Sequence, residues 1–397
     1  MFIAHSLRDM RDPPPVTLLA SSALLWTKWR ELGHKAGITG NIDDVKDYDN
    51  AQYGFQMESA RAPHRMHRRI VTSGDFFSED RPFKPHWDGR PPGPPDPNDP
   101  LPPDINNTSP IDALIMAVKP AAVVPRLLGI QHRFGPESTI LLVHPGLGVL
   151  EELVDYVFPD PERRPRLIQG HSTHRLYPKE GETFAFTCSK RGSLATSPLP
   201  RFNKTLFEAA AFAEALDEAP STKYLLNTLK RCSILLTNST SVTNLYLAQI
   251  EQLVLDSVLQ PMAALADCAL GQLIYNYHFA ITMRLLLTEI SLVIRSLPEL
   301  KSYSNLETRF APDRLEKLIL EKCYQHSSDL SPMAWDVRRG HGTQIDYLNG
   351  WIVKRGEELG LKCWMNYLTL NMVKGKALAI RHERASDIPL DSESKVY

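Results

Sequence analysis

Two apolar runs decide the fold: Ala113-Leu114-Ile115-Met116-Ala117-Val118, and further on Thr139-Ile140-Leu141-Leu142-Val143. Both are short and uninterrupted, as strands buried on two faces are. A helical stretch from about Ala121 to Phe134 lies between them, and a second from Leu147 to Val157 follows. Strand, helix, strand, helix is the pattern of a parallel sheet covered by helices.

Toward the amino end, Val16-Thr17-Leu18-Leu19-Ala20 is another strand-like run. It leads into a helical stretch carrying Trp26, Trp29 and Leu32 that ends near Gly33. Before it, Met1 to Met10 reads as a helix already under way, stopped by Asp12-Pro13-Pro14-Pro15. Eleven prolines between Pro82 and Pro110 leave too few amide donors for a packed element, so residues 80–110 read as an insertion. Shorter β-like runs, Arg166-Leu167-Ile168 and Thr183-Phe184-Ala185-Phe186, precede a break at Ser197-Pro198-Leu199-Pro200.

From Thr205 onward the patterns are helical: Leu206 to Leu216, Thr222 to Leu236, Leu245 to Val258, Pro261 to Leu297, Pro312 to Cys323, Gln344 to Leu359 and Trp364 to Ile380. The expected organisation is an α/β domain over 1–200, an all-helical domain over 201–381, and a polar tail over 382–397.

Composition limits the function. Of 397 residues, 43% are apolar and 23% charged, as in a folded globular chain. Forty-five Lys+Arg against 46 Asp+Glu leave a net charge of -1, so no global field draws the protein to nucleic acid or an anionic membrane. The basic stretch Arg61 to Arg69 carries His64 and His67, which lack the carboxylate or thiolate companions of a metal site. Five scattered cysteines without CxxC spacing point neither to a disulfide framework nor to zinc. The most apolar region, Pro261 to Leu297, is interrupted by Asp267, Arg284, Glu289 and Arg295 and reads as one or two buried helices rather than a membrane span. No secretory signal is visible, which leaves cytoplasm and mitochondrion as the expected compartments.

Three motifs carry a resemblance. Ser331-Pro332-Met333-Ala334-Trp335-Asp336, followed by Thr343-Gln344-Ile345-Asp346-Tyr347-Leu348-Asn349-Gly350, resembles the S-S-M-x-x-D and T-E-I-D-Y-I-N-G signature of the ketopantoate reductase (2-dehydropantoate 2-reductase) family, in a divergent, fungal-type form. Ile140 to Val149, with His144-Pro145-Gly146-Leu147-Gly148, looks like that family's strand ending in N-G-M-G, and Ala117-Val118-Lys119 like the V-K that closes the preceding strand. The resemblance implies an N-terminally truncated Rossmann-type NADP-binding domain followed by a helical C-terminal domain of the 6-phosphogluconate-dehydrogenase kind, with the active site in the cleft between them. It further implies NADPH-dependent reduction of a small 2-keto acid, 2-dehydropantoate, to pantoate.

Residue by residue, the resemblance makes Lys230 the catalytic acid, eight residues before Asn238 as the K-x-x-x-N-x-x-x-N spacing requires. Asn238 and Gln344 fall at substrate positions. Lys119, Gly146 and Gly148 fall on the cofactor side. Four positions depart from the pattern: Ile234 stands for an asparagine, Pro332 for the second serine, Gln344 for a glutamate and Pro145 for an asparagine. A neutral Gln344 brings no charge to keep a neighbouring lysine protonated. A G-x-G-x-x-G turn, which lets backbone amides approach a pyrophosphate at a helix N-terminus, does not occur in the sequence, so NADPH binding is expected to be weak.

Each residue also has a plainer reading. Lys230 could be a solvated helix lysine, Asn238 a helix cap, Gln344 a helix-start residue and Lys119 a strand-end lysine facing water. The competing function is a catalytically inactive relative that works as a binding or scaffold protein.

Overall fold

The computed structural model describes residues 2–20, 37–40, 56–59, 108–178, 185–190, 192–200 and 219–386. The expected helix around Trp26, the proline-rich insertion, the basic stretch at Arg61 and the helix from Leu206 to Leu216 lie outside them. The described residues divide into two compact units, one holding 2–144 and 149–247, the other 145–148 and 248–386.

The first unit is α/β. Its main sheet has five strands in the order β10-β9-β6-β5-β4: β4 (Ala113–Met116), β5 (Thr139–Val143), β6 (Arg166–Ser172), β9 (Leu194–Pro198) and β10 (Thr237–Ser239). β4, β5 and β6 run parallel, β9 is antiparallel to β6, and β10 is parallel to β9. Separately, β1 (Thr17–Ala20) pairs in parallel with β3 (Gln56–Ser59), and β2 (Gly37–Gly40), β7 (Arg175–Pro178) and β8 (Ala185–Lys190) form a three-stranded sheet.

The two apolar runs pair in register, Ala113 to Met116 against Thr139 to Leu142. Alternation along the strands turns Leu141 and Ile168 to one face. There they share a core with Phe2 and Leu7 of α1 (Phe2–Arg8) and with Leu225, Leu226 and Leu229 of α4 (Pro220–Arg231). Ile140 and Leu142 turn to the other face and are also fully buried. The crossover segments supply buried Val123 and Leu127 from α2 (Val123–Ile130), Val149 from α3 (Val149–Glu152), and Leu153 from the π turn that follows it. Complete burial of one such side chain contributes about 1.5–3 kcal/mol.

The second unit is helical: α5 (Val242–Ala266, which begins in the first unit), α6 (Leu270–Ile274), α7 (Tyr277–Ser296), α8 (Leu306–Arg309), α9 (Pro312–Gln325), α10 (Pro332–Arg338), α11 (Asn349–Glu358) and α12 (Trp364–Ser386). Among the described residues one helix, α7, is long and apolar enough to cross a membrane. Its buried Met283, Leu286, Leu287, Ile290, Val293 and Ile294 make it a core helix of this unit, as the interrupted run implies.

Several details differ from the sequence reading. The helix expected to reach Leu236 ends at Arg231, the one expected from Pro261 to Leu297 is divided among the end of α5, α6 and α7, and the one expected from Gln344 begins at Asn349 after a 3-10 turn (Ile345–Tyr347). Past Thr205 the chain still contributes the short strand β10 to the sheet. Helix α5 runs straight through Pro261, where a start is expected. Helix α12 continues through Glu383 to Ser386 instead of ending before the polar tail. Arg381 fastens this last stretch by donating from Nε to the Gly340 carbonyl at 3.1 Å.

Candidate functional site

In the first unit, Lys230 sits in the last turn of α4, exposed, one residue after the fully buried Leu229. The helix is held at its other end by hydroxyls: Thr139 Oγ1 at the start of β5 lies 2.7 Å from Ser221 Oγ and 2.8 Å from Thr222 Oγ1. The leucine stripe and this polar tie fix the rotation of α4, and with it the direction of Lys230. Neighbouring Arg231 pairs with Asp12 at 3.3 Å.

Asn238 lies exposed on β10, which packs against α4. It is not the cap of the next helix, since Ser241 Oγ performs that task by accepting from the Asn244 amide at 3.2 Å. Its backbone carbonyl accepts from Thr196 Oγ1 of β9 at 3.3 Å, which ties the strand down and leaves the amide side chain at the surface. Ile234, between Lys230 and Asn238, packs its partly buried side chain against the sheet core. Lys119 is exposed just beyond β4, where a 3-10 turn (Pro120–Ala122) begins. The carboxyl ends of parallel strands are where α/β sheets bind ligands.

The second unit treats its candidate residues differently. Gln344 is buried, and its Nε2 donates to Gln260 Oε1 of α5 at 3.0 Å. Ser331 caps α10, accepting from the Ala334 amide at 3.1 Å, and its hydroxyl donates to the Gln260 carbonyl at 3.3 Å. Pro332 is the exposed first residue of that helix, where its ring presets the backbone angle. The motif asparagine, Asn349, is fully buried. Its Nδ2 donates to the Ser257 carbonyl and to Asn366 Oδ1, both at 2.9 Å.

That first bond explains how α5 tolerates a proline. Pro261 has no N–H, so the carbonyl four residues earlier loses its helical partner. Ser257 carries that carbonyl, and Asn349 satisfies it. Asn366 passes the chain on to Glu289 of α7, donating from both its amide nitrogens to Oε2, while the Met365 amide donates to Oε1. Glu289 therefore caps α12 and meets its dipole with a negative charge.

The loop Pro145 to Gly148 belongs to this unit, although the chain on both sides of it belongs to the first. Gly146 (φ +82°) and Gly148 (φ +102°) are both left-handed. A Cβ at Gly146 would stand 2.6 Å from the Tyr347 carbonyl oxygen, and the Leu147 amide donates to that oxygen at 3.1 Å. These contacts demand glycine whether or not a cofactor is present. Asp346 is paired with Lys374 of α12.

The sequence reading missed Gln260 and the pairing of Asn349 with Ser257. Pro261 within an apolar stretch was the available signal, because a proline inside a helix obliges some donor to serve the carbonyl it frees. Among the described residues no group of three or more His, Cys, Asp and Glu converges to hold a metal ion. Burial pushes the Cys323 and Cys363 thiols up to about 11, so both are inert thiols at neutral pH.

Residues 79–199 match the family Ketopantoate reductase PanE/ApbA, and residues 244–377 match Ketopantoate reductase PanE/ApbA C terminal. The chain is 24% identical to the cytochrome B translational activator CBS2 of Saccharomyces cerevisiae over 72% of its own length and 79% of that protein's. It is 22% identical to a probable 2-dehydropantoate 2-reductase of Schizosaccharomyces pombe over 68% of its length and 75% of the relative's. Among solved structures it resembles D-mandelate dehydrogenase with NADH and anilino(oxo)acetate, with a TM-score of 0.62 at 13% identity, covering 96% of this chain and 95% of that one.

Proposed function

We propose that this chain, which belongs to the ketopantoate reductase family, uses the reductase shell as a binding protein and turns over 2-dehydropantoate slowly if at all. The observation that carries this reading is the state of Gln344. Where the family pattern has a glutamate, the chain has a buried neutral amide, one of whose two N–H donors is committed to Gln260. Such a group supplies no negative charge to a lysine and leaves a ligand only the weaker, neutral hydrogen bonds of its second N–H and its oxygen. Ile234 and Pro332 support the same reading, because one packs into the sheet core and the other is a helix-start residue without a hydroxyl.

The cofactor side argues likewise. Lys119 offers one exposed cation beyond β4, but residues 1–397 hold no G-x-G-x-x-G turn to bring backbone amides to a pyrophosphate. The residues in hand do not fit a tightly held NADPH. That a relative similar over most of its length is named a translational activator fits a family in which the shell serves more than one purpose.

A second reading, NADPH-dependent reduction of 2-dehydropantoate or another small 2-keto acid, is favoured by Lys230 and Asn238, which keep the expected spacing and are both exposed. Fluorescence titration with NADPH, followed by an assay of its oxidation with 2-dehydropantoate, separates the two. The binding reading expects no saturation at micromolar NADPH and no turnover above background. Micromolar binding with turnover that Lys230→Ala abolishes would overturn it.

A further inference from the structure

The end of α10 and the end of α12 meet at one residue, Gly340. Helix α10 closes on this glycine in the left-handed region (φ +66°). The Gly340 amide donates to the Val337 carbonyl at 2.9 Å and the His341 amide to the Asp336 carbonyl at 2.8 Å, which fixes the turn. A Cβ on Gly340 would stand 3.5 Å from Arg381 Cα and from Arg384 Cδ. Each helix end brings basic side chains to this place: Arg338 and Arg339 from α10, Arg381 and Arg384 from α12.

Most of their hydrogen-bonding capacity faces outward. Arg338 is neutralised by Asp267, donating from Nε to Oδ1 at 2.6 Å. Arg381 uses its Nε on the Gly340 carbonyl. Among the described residues Arg339, Arg381 and Arg384 pair with no carboxylate. Their remaining N–H groups, set in the rigid fork of a guanidinium, match the oxygens of a phosphate. One exposed aromatic ring stands among them: Trp335 is 37% exposed, with the Arg339 guanidinium 5.1 Å and the Arg338 guanidinium 5.9 Å from its ring centroid.

The dipole at a helix C-terminus explains cations at these two ends. It does not explain an indole left at the surface between them. An acidic peptide would use the charges and leave the ring idle, whereas a nucleic acid uses both, its phosphates on the guanidiniums and a base on the ring. A duplex keeps its bases stacked inside, so the ring selects a single strand. With a net charge of -1 on the whole chain, any such contact has to be made by a local cluster of this kind.

We propose that Trp335, Arg339, Arg381 and Arg384 form a binding site for single-stranded nucleic acid, with phosphodiester groups on the arginines and an unpaired base stacked on Trp335 and Arg339. This gives the binding reading above a partner and rests on it. The two fail separately: the NADPH titration decides that reading, and a titration with RNA decides this one.

The test is fluorescence anisotropy of the full chain with a labelled single-stranded RNA of about 16 nucleotides. Saturable binding is expected, its log affinity falling against log salt with a slope of about -2 for three phosphates neutralised. Arg339→Gln combined with Arg384→Gln should weaken binding at least tenfold and bring the slope to about -0.7. Both side chains are exposed, so far-UV circular dichroism and unfolding temperature should be preserved, and Arg381 is left in place to hold α12. Trp335→Ala should weaken binding and Trp335→Tyr should restore most of it, a readout that charge alone would not move. Absence of binding, or binding untouched by the double variant and lost instead when Arg65, Arg68 and Arg69 are replaced, would overturn the proposal. So would displacement of the RNA by polyglutamate as readily as by unlabelled RNA, or equal affinity for a duplex of the same sequence.

Discussion

The two units handle the same kind of residue in opposite ways. In the α/β unit, Lys119, Lys230 and Asn238 are exposed, while the work of holding the elements around them falls to leucines and to Thr139, Ser221 and Thr196. In the helical unit, Ser331, Gln344 and Asn349 are buried, and each is bonded to the backbone or side chains of α5. Polar residues of one sequence signature thus divide into a group exposed at the surface and a group buried against α5. A motif match alone does not separate them; burial and partners do.

Substitutions widen or close that contrast. The largest effect is expected at Asn349→Leu, which leaves the Ser257 carbonyl and Asn366 Oδ1 buried without their donor at a cost of roughly 2–4 kcal/mol. Thermal unfolding of the helical unit should fall by about 5 °C or more, and a loss under 1 °C would show that Pro261 needs no substitute donor. Next comes Glu251, held by Arg309 in two bonds of 3.2 and 2.9 Å and by Arg314 at 2.7 Å. Burial pushes this carboxyl up, but the two guanidiniums outweigh it and hold it below the usual carboxylate range.

A depressed carboxylate contributes stability above its unfolded value, and that contribution is lost as pH falls through the folded value. The unfolding temperature should therefore drop below about pH 4.5, and Glu251→Gln should flatten that drop while costing about 1 kcal/mol at pH 7. An unchanged acid limb in the variant would remove Glu251 from the explanation. The smallest effect belongs to Lys230→Ala, within about 0.5 kcal/mol of the parent. One residue earlier, Leu229→Ala should cost about 2–4 kcal/mol by opening a cavity in the sheet core. If the lysine variant unfolds as readily as the leucine variant, Lys230 is structural and the contrast between the units collapses.

Much of the fold is legible in the sequence because continuous apolar runs and helical periods report burial directly. β1, β4, β5 and β6 fall where their runs stand, and α9 begins at the Pro312 that signals it. What escapes is decided by partners far along the chain. The course of α5 past Pro261 depends on Asn349, and the length of α12 depends on Gly340, neither of which belongs to the local pattern. Strand β10 has only three residues and exists because Leu194 to Thr196 offer an edge. The candidate site was legible as a list of positions, and the commitments of those positions were not: that Gln344 is engaged with Gln260, or that Ser241 and not Asn238 caps α5, follows from geometry alone.

The glycine pressed against Tyr347 has a consequence for how relatives of this chain should be sorted. A residue kept only for catalysis is free to drift once the reaction is abandoned, and its loss then marks the abandonment. Gly146 cannot drift, because any side chain would collide with the Tyr347 backbone before a ligand was ever concerned. Its presence therefore carries no vote on whether a given homologue still performs chemistry, and an activity forecast that counts it will recruit silent members along with working ones.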